Sequence, residues 1–172
     1  LEWSTMGSGE MGKWKLQWLI GQTLLDPVSL TPDSIYATFS GGSNTGVSYN
    51  STSSDTTNNV LKYRILNTFR TNLSLQHASG WTVGWNAARN TTIQNIDKAF
   101  IDIEELGLLE YGLIDWMAAR PAAQWLHDFQ VGRKFDDRHH VELIVRNAAN
   151  LNYALRPLAA EANRLWVIRY TF

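Results

Sequence analysis

A mainly α-helical fold is what the sequence predicts: a helical bundle core, a polar loop or small β-hairpin near residues 29–59, and extended terminal segments. Three observations predict it. Apolar residues recur three or four apart over several stretches, prolines stand where those stretches stop, and one segment turns to Ser, Thr, Asn and Gly. With 172 residues, 44% of them hydrophobic, and eight Trp, the chain is long and apolar enough for one packed domain over 1–172.

Each element follows in order. Residues 1–11 have no helical pattern and are expected as an extended arm. Over 12–25, Trp14, Trp18 and Leu25 sit at helical spacing, and Asp26-Pro27 ends the stretch because proline disfavours a helical residue before it. In 29–59, Ile35 to Phe39 and Val47 to Tyr49 flank Gly41 to Gly46, which suggests a hairpin, and 40–59 is expected as a flexible polar loop. Over 60–76, Leu66, Phe69 and Leu73 mark a helix capped by Asn58 or Asn59. Gly80 to Trp85 breaks the pattern as a turn. Ile96, Phe100, Ile103, Leu106, Leu113 and Met117 mark a long helix with Asp97 in its first turn, weakened at Gly107 and Gly112. Pro121 ends it, and Trp125 and Phe129 suggest a short connector helix. From Asp136 to Arg156, Val141, Ile144, Val145, Ala148, Leu151 and Leu155 give the clearest amphipathic pattern. Pro157 opens a final helix, and 168–172 leaves as a second arm.

The chain has no cysteine, which excludes disulfides, thiolate zinc sites and cysteine nucleophiles. No apolar run approaches the roughly 18 residues of a membrane helix, so no membrane partner is expected. Leu1 stands where a nascent chain would have Met, which fits a trimmed product, a fusion remnant or a missing beginning. The net charge is −1, but it is a cancellation of blocks: −3 over 1–55, +4 over 56–96, −5 over 97–128 and +3 over 129–172. That excludes a free, globally basic nucleic-acid binder. It suits complementary subunit faces, a local basic groove, or pairing between helices.

Catalytic and metal motifs are missing. His139-His140-Val141-Glu142 supplies two ligands on a helix face and no third, beside Arg138 and Arg146, so no metal site is expected. There is no nucleophile elbow and no glycine-rich phosphate loop, so neither a cofactor nor a catalytic residue is assigned. The strongest cluster is Arg133, Lys134, Phe135, Asp136, Asp137 and Arg138. The cations can neutralise phosphates, Phe135 can stack on a base or anchor in the core, and the Asp pair can cap a helix and orient the guanidiniums. Arg64, Arg70 and Arg146 are candidate further RNA contacts.

The C-terminal half resembles coat proteins of flexible filamentous plant viruses, the potexvirus-like group. The likeness lies in Ala119 to Trp125, then Lys134-Phe135, Val141, Ile144, Ala148-Ala149 and Pro157, over about residues 116–160. The family's second aromatic and its Asp fall at Arg138 and His139, so Asp136 or Asp137 would have to replace its salt bridge. Rod-shaped virus coat proteins are similar too, in Arg133-Lys134-Phe135-Asp136-Asp137 followed by Asn147 to Asn150. Both resemblances imply a non-enzymatic subunit that self-assembles in many copies around single-stranded RNA, located in the virion and, during assembly, the host cytoplasm. Two other readings stay open: a small helical enzyme or ligand-binding domain with a pocket lined by Trp81, Trp85 and Trp125, and a virion connector without nucleic-acid contact.

Overall fold

The computed structural model describes all residues except 40–44, 111, 120 and 157–158. It overturns the helical expectation: among the described residues strands make up 50% and helices 11%. The strands are β1 (Glu2–Met11), β2 (Trp14–Leu24), β3 (Ala37–Phe39), β4 (Thr45–Val47), β5 (Asn67–His77), β6 (Trp81–Thr91), β7 (Ala123–Lys134), β8 (His140–Arg146), β9 (Ala154–Arg156), β10 (Ala159–Ala160) and β11 (Leu165–Thr171). The helices are α1 (Lys98–Glu105) and α2 (Leu113–Ala119). Seven strands form one antiparallel sheet in the order β1-β2-β5-β6-β7-β8-β11, and two small hairpins, β3-β4 and β9-β10, stand apart from it.

The stretches expected as helices over 12–25 and 60–76 instead hold strands β2 and β5, the one over 136–156 holds β8 and β9 with a turn and a connection around them, and the connector helix is β7. Their residues explain this. Trp14 and Trp18 are four apart, but Leu16 and Ile20 fall between and after them, while Lys15, Gln17, Leu19 and Gly21 occupy the alternate positions, three of the four not apolar side chains. That is a period of two. Phe69, Leu73 and Leu75 alternate with Arg70, Asn72, Ser74 and Gln76 in the same way. The long helix after Asn95 is broken into α1 and α2, because Gly107 and Gly112 both take positive φ, 65° and 66°. The segments expected as terminal arms are sheet strands: 2–11 is β1, and 168–171 belongs to β11. Of the loop expected over 40–59, residues 40–44 lie outside the described residues. Asn50–Thr52 forms a 3-10 turn, with the Thr52 and Ser53 hydroxyls donating to the Tyr49 carbonyl at 3.1 and 2.7 Å.

The connections divide by length. At one end of the sheet they are Gly12-Lys13, 78–80 and 135–139; at the other they are 25–66, 92–122 and 147–164. Gly12 has φ 61° at the first position of a two-residue turn, as a II′ hairpin requires. Gly80 has φ 88° and lies against the Lys134 carbonyl, which would meet any added Cβ. The fully apolar core lies not under the sheet but among the long connections. Ile93, Ile96 and Leu113 are buried there, with Ile65, Phe100, Ile101, Trp116 and Met117 packed on them. The Glu104 carboxylate accepts from the Leu113 and Ile114 amides and so caps α2.

Candidate functional site

Strand pairing fixes which side chains share a face, because partners across an antiparallel ladder point the same way. One face carries Trp3, Trp14, Trp18, Trp81, Trp85, Trp125 and Trp166, seven of the eight tryptophans. It holds no acidic residue. The opposite face carries Glu2, Glu10, Lys15, Arg70, Asn72, Asn86, Asp128, Gln130, Lys134, Glu142, Arg146 and Arg169, with Met6, Leu19, Leu126, Ile144, Leu165 and Val167 interspersed.

The apolar face is layered along the strands. Its row nearest the short turns reads Met11, Trp14, His77, Trp81, Arg133, Val141 and Tyr170 across the seven strands. Two residues further along, the row reads Gly9, Leu16, Leu75, Val83, Val131, Leu143 and Ile168, without one polar side chain. The next is Gly7, Trp18, Leu73, Trp85, Phe129, Val145 and Trp166, where the Trp18 ring lies over Gly7. Toward the long connections stands a second aromatic row, Trp3, Gln22, Phe69, Arg89 and Trp125. The face's two arginines, Arg133 and Arg89, thus sit only in its two outer rows. Between those rows lie eight residue steps, about 27 Å of strand at roughly 3.4 Å per residue. Six interstrand spacings of about 4.8 Å give a width near 29 Å over the three rows nearest the short turns, and four give about 19 Å beyond them, where β8 and β11 do not reach, so the face covers on the order of 650 Å². Thr5, Thr71 and His127 enter it between the third row and the second aromatic row, and its size lies at the upper end of the roughly 300–600 Å² of the largest apolar patch on an ordinary soluble monomer.

Aromatic contacts stiffen this surface. Trp85 stacks on His127 at 6.0 Å between centroids, His127 on Trp125 at 6.0 Å, and Phe69 meets Trp125 edge-on at 5.9 Å. Trp81, Trp85 and Trp125, read from sequence as a pocket lining, stand on this open face instead.

On the polar face, β8, β11 and the 147–164 connection enclose a cleft of about 490 Å³ lined by Asn86, Asp128, Gln130, Arg146, Glu161 and Arg169 among others. Asn147 builds its wall: 4% exposed and with φ 47°, it donates its amide to Asp128 at 2.8 Å. Its side chain donates to the Leu151 carbonyl at 2.8 Å and accepts from the Leu151 amide at 3.0 Å. Arg169 donates to Glu142 at 3.2 Å across the β8–β11 pair. Beside Asp128 and Glu161, and partly buried, the Tyr153 hydroxyl has its pKa raised, by burial first and the two carboxylates next.

Of the residues proposed for RNA, 133–138 follow one another around one turn, while Arg64, Arg70 and Arg146 lie apart from it. Arg133 lies on the apolar face with its guanidinium 5.1 Å from the centroids of both Trp81 and Phe135. Lys134 is on the polar face and pairs with Asp137 at 2.8 Å. Phe135, Asp136, Asp137 and Arg138 occupy the β7–β8 turn, not a helix mouth, and the Asp136 carboxylate accepts the Arg138 and His139 amides at 2.8 Å. Those two bonds hold the Asp136 pKa below the usual carboxylate value, as the Lys134 hydrogen bond does for Asp137. Arg146 and Arg64 lie at the long-connection end, and Arg70 is seven residue steps from the Arg133 row, about 24 Å along the strand.

A second cluster, missed in the sequence, braces the long connections. Lys62 pairs with Asp97, donates to the Thr52 hydroxyl at 2.7 Å and lies 5.0 Å from the Tyr49 ring centroid, while the Tyr63 hydroxyl donates to Asp97. Burial alone would raise the Asp97 pKa, but the bonds from Lys62 and Tyr63 outweigh it and leave it lowered. Burial, then the hydrogen bond to Asp97, pushes the Tyr63 pKa to about 12. Beneath them Asn95, 1% exposed, donates to the Val60 carbonyl at 2.7 Å and accepts from Ser54 and Asp55 at 3.2 Å.

Among the described residues no three metal-ligating side chains converge, and no helix is long and apolar enough to cross a membrane. Compared with known proteins, the chain matches no family model, no curated protein and no solved structure.

Proposed function

We propose that this chain is part of the wall of a transmembrane β-barrel, with the tryptophan-bearing face toward lipid and the polar face toward a water-filled lumen. The observation that carries the reading is the coincidence of two asymmetries in one sheet. Its faces divide into an apolar aromatic side and a polar side, and its ends divide into short turns and long connections. Barrels of the outer-membrane type combine these traits: strands tilted about 40°, an apolar outer band about 25 Å tall between aromatic girdles, short turns at one end and long loops at the other. Strands β1, β2, β5, β6 and β7 run 10, 11, 11, 11 and 12 residues, against the roughly 9–11 a tilted membrane strand needs, while β8 and β11 run seven each and cover only part of that height. Tilted by about 40°, the 27 Å between the aromatic rows projects to about 21 Å. Arg133 and Arg89 then lie about 10 Å from the midplane, just inside the edges of such a band, from where a guanidinium on an apolar stem can extend toward phosphate and water. The function this supports is a conduit or receptor wall for polar solutes, with the 490 Å³ cleft beside the lumen.

A face-to-face pair of copies would also cover the apolar face, but it would bring Arg89 and Arg133 of both copies into a dry interface without a carboxylate. The RNA-coat reading has less support from this geometry, because its basic cluster is a turn and its outlying arginines lie at the far end of the sheet. The chain lacks cysteine, so single cysteines can be scanned cleanly along β6 in lipid vesicles. Cysteines at 82, 86, 88 and 90 are expected to react with a membrane-impermeant maleimide, and those at 83, 85 and 87 are not. Equal reactivity at both sets would remove the membrane reading.

A further inference from the structure

We infer that the cleft on the polar face binds a small zwitterion of net positive charge, of the basic amino acid class, with its carboxylate at Arg146 and a cationic group between Asp128 and Glu161. The inference rests on the reading above for the route by which such a solute arrives, from the lumen, and adds the chemistry that the cleft recognises. At about 490 Å³ the cleft falls within the roughly 300–1,000 Å³ of small-molecule sites.

Two cations of the polar face are neutralised within the chain, Lys134 by Asp137 and Arg169 by Glu142. In the cleft, Asp128, Glu161 and Arg146 have no ion-pair partner among the described residues. Asp128 and Arg146 nevertheless stand on neighbouring strands, just beyond the Phe129–Val145 pair. The Asp128 carboxylate is engaged instead by the Asn147 amide, at 2.8 Å. The other wall is tied down as well. The Glu161 amide donates to the Tyr153 carbonyl at 2.9 Å, and the Asn147 side chain donates to the Leu151 and Ala162 carbonyls at 2.8 and 3.4 Å. The Tyr153 pKa is raised first by burial and then by Glu161 and Asp128, so both carboxylates bear on one hydroxyl. Two open carboxylates and one open guanidinium leave one negative charge in excess. A ligand with two cationic groups and one carboxylate meets them group by group, through charge-assisted hydrogen bonds.

Neutral groups complete the set. Asn86 accepts from the Asn72 amide through its side-chain carbonyl, and its own NH2 has no partner among the described residues. Gln130 reaches over β6 at Gly84, where a Cβ would stand 2.5 Å from its Cγ, so the missing side chain of Gly84 makes room for it. A neutral sugar would leave the three charges to water, and an acidic solute would face both carboxylates. A basic amino acid leaves none of them unmatched.

Equilibrium dialysis of radiolabelled L-lysine against the membrane-inserted polypeptide tests this. The expected result is saturable binding, competed by L-arginine, at least about tenfold more weakly by L-leucine, and not by L-glutamate or glucose. Glu161→Gln and Arg146→Gln should each weaken it about tenfold or more, the loss of one charged hydrogen bond. Neither substitution removes a side-chain partner among the described residues, so both variants should fold. Glu10→Gln, at the far edge of the same face, should change nothing. Absence of saturable lysine binding, equal competition by leucine or glutamate, or unchanged affinity in both cleft variants would overturn the inference. The maleimide scan of β6 on the same vesicles keeps the two readings apart. An intact period-two pattern without lysine binding overturns the cleft assignment alone, whereas uniform reactivity removes the membrane reading.

Discussion

Leu73→Arg is the most informative single change. Leu73 sits in the middle row of the apolar face, between Trp18 on β2 and Trp85 on β6, four residue steps from the row of His77 and Trp81. Four steps of about 3.4 Å, tilted by roughly 40°, place it about 10 Å in height from that girdle, near the centre of the hydrocarbon. An arginine at that depth on a barrel's lipid face costs about 2–4 kcal/mol, while one near the interface costs about 0–1. Leu73→Arg should thus lower the folding equilibrium in lipid vesicles by roughly 30- to 700-fold, and His77→Arg by no more than about fivefold. Ser74→Arg, the next residue and on the polar face, should change little. Urea titrations of the membrane-inserted polypeptide, followed by tryptophan fluorescence, read all three. Leu73 and His77 are both partly buried, so an ordinary protein core would penalise them similarly. Costs for Leu73→Arg and His77→Arg within about 0.5 kcal/mol of each other would refute the depth argument, since the lipid scale separates them by at least about 1 kcal/mol.

Three further outcomes are expected. Gly80→Ala should cost about 1–3 kcal/mol in the same titration, since φ 88° and the Lys134 carbonyl leave no room for a methyl. Asn147→Ala leaves the Leu151 groups without their partner and strains a residue at φ 47°, so it should loosen the 147–164 connection by about 1–3 kcal/mol, read as faster proteolysis there. The Asp97 carboxylate has its pKa lowered from 3.8 when folded, so the bracing it gives is complete above about pH 4 and is lost as the pH falls through the folded value. Cleavage within 48–66 should accelerate below that pH, and Asp97→Asn should flatten the dependence.

What was legible in the sequence, and what was not, follows from one degeneracy. Spacings of four, such as Trp14 to Trp18, Phe69 to Leu73 and Trp125 to Phe129, satisfy a helix turn and also two steps of a strand. The deciding signal is a polar residue at most of the alternate positions, clearest in Thr68, Arg70, Asn72, Ser74 and Gln76 and broken at Leu19 and Leu126. The helix start after Asn95 was readable because Asp97 and the Ile96, Phe100 pattern have no strand-like alternation. A length test of about 18 apolar residues bears only on helices, whereas a barrel strand would show its apolar residues only at alternate places. The 133–138 cluster was noticed for its composition, but composition does not say that Arg133 and Lys134 point to opposite faces of a strand. Nor could spacing along the chain reveal that tryptophans from Trp3 to Trp166 form one surface, because that depends on the register of six strand pairs.

Tryptophan fluorescence in vesicles of lipids brominated along their acyl chains tests the central claim most directly. Seven of the eight tryptophans stand on the proposed lipid face, so the signal reports that face almost alone. Strong quenching by the brominated chains, with little quenching by aqueous iodide, is the expected result. Emission quenched by iodide and indifferent to the brominated lipid would contradict it.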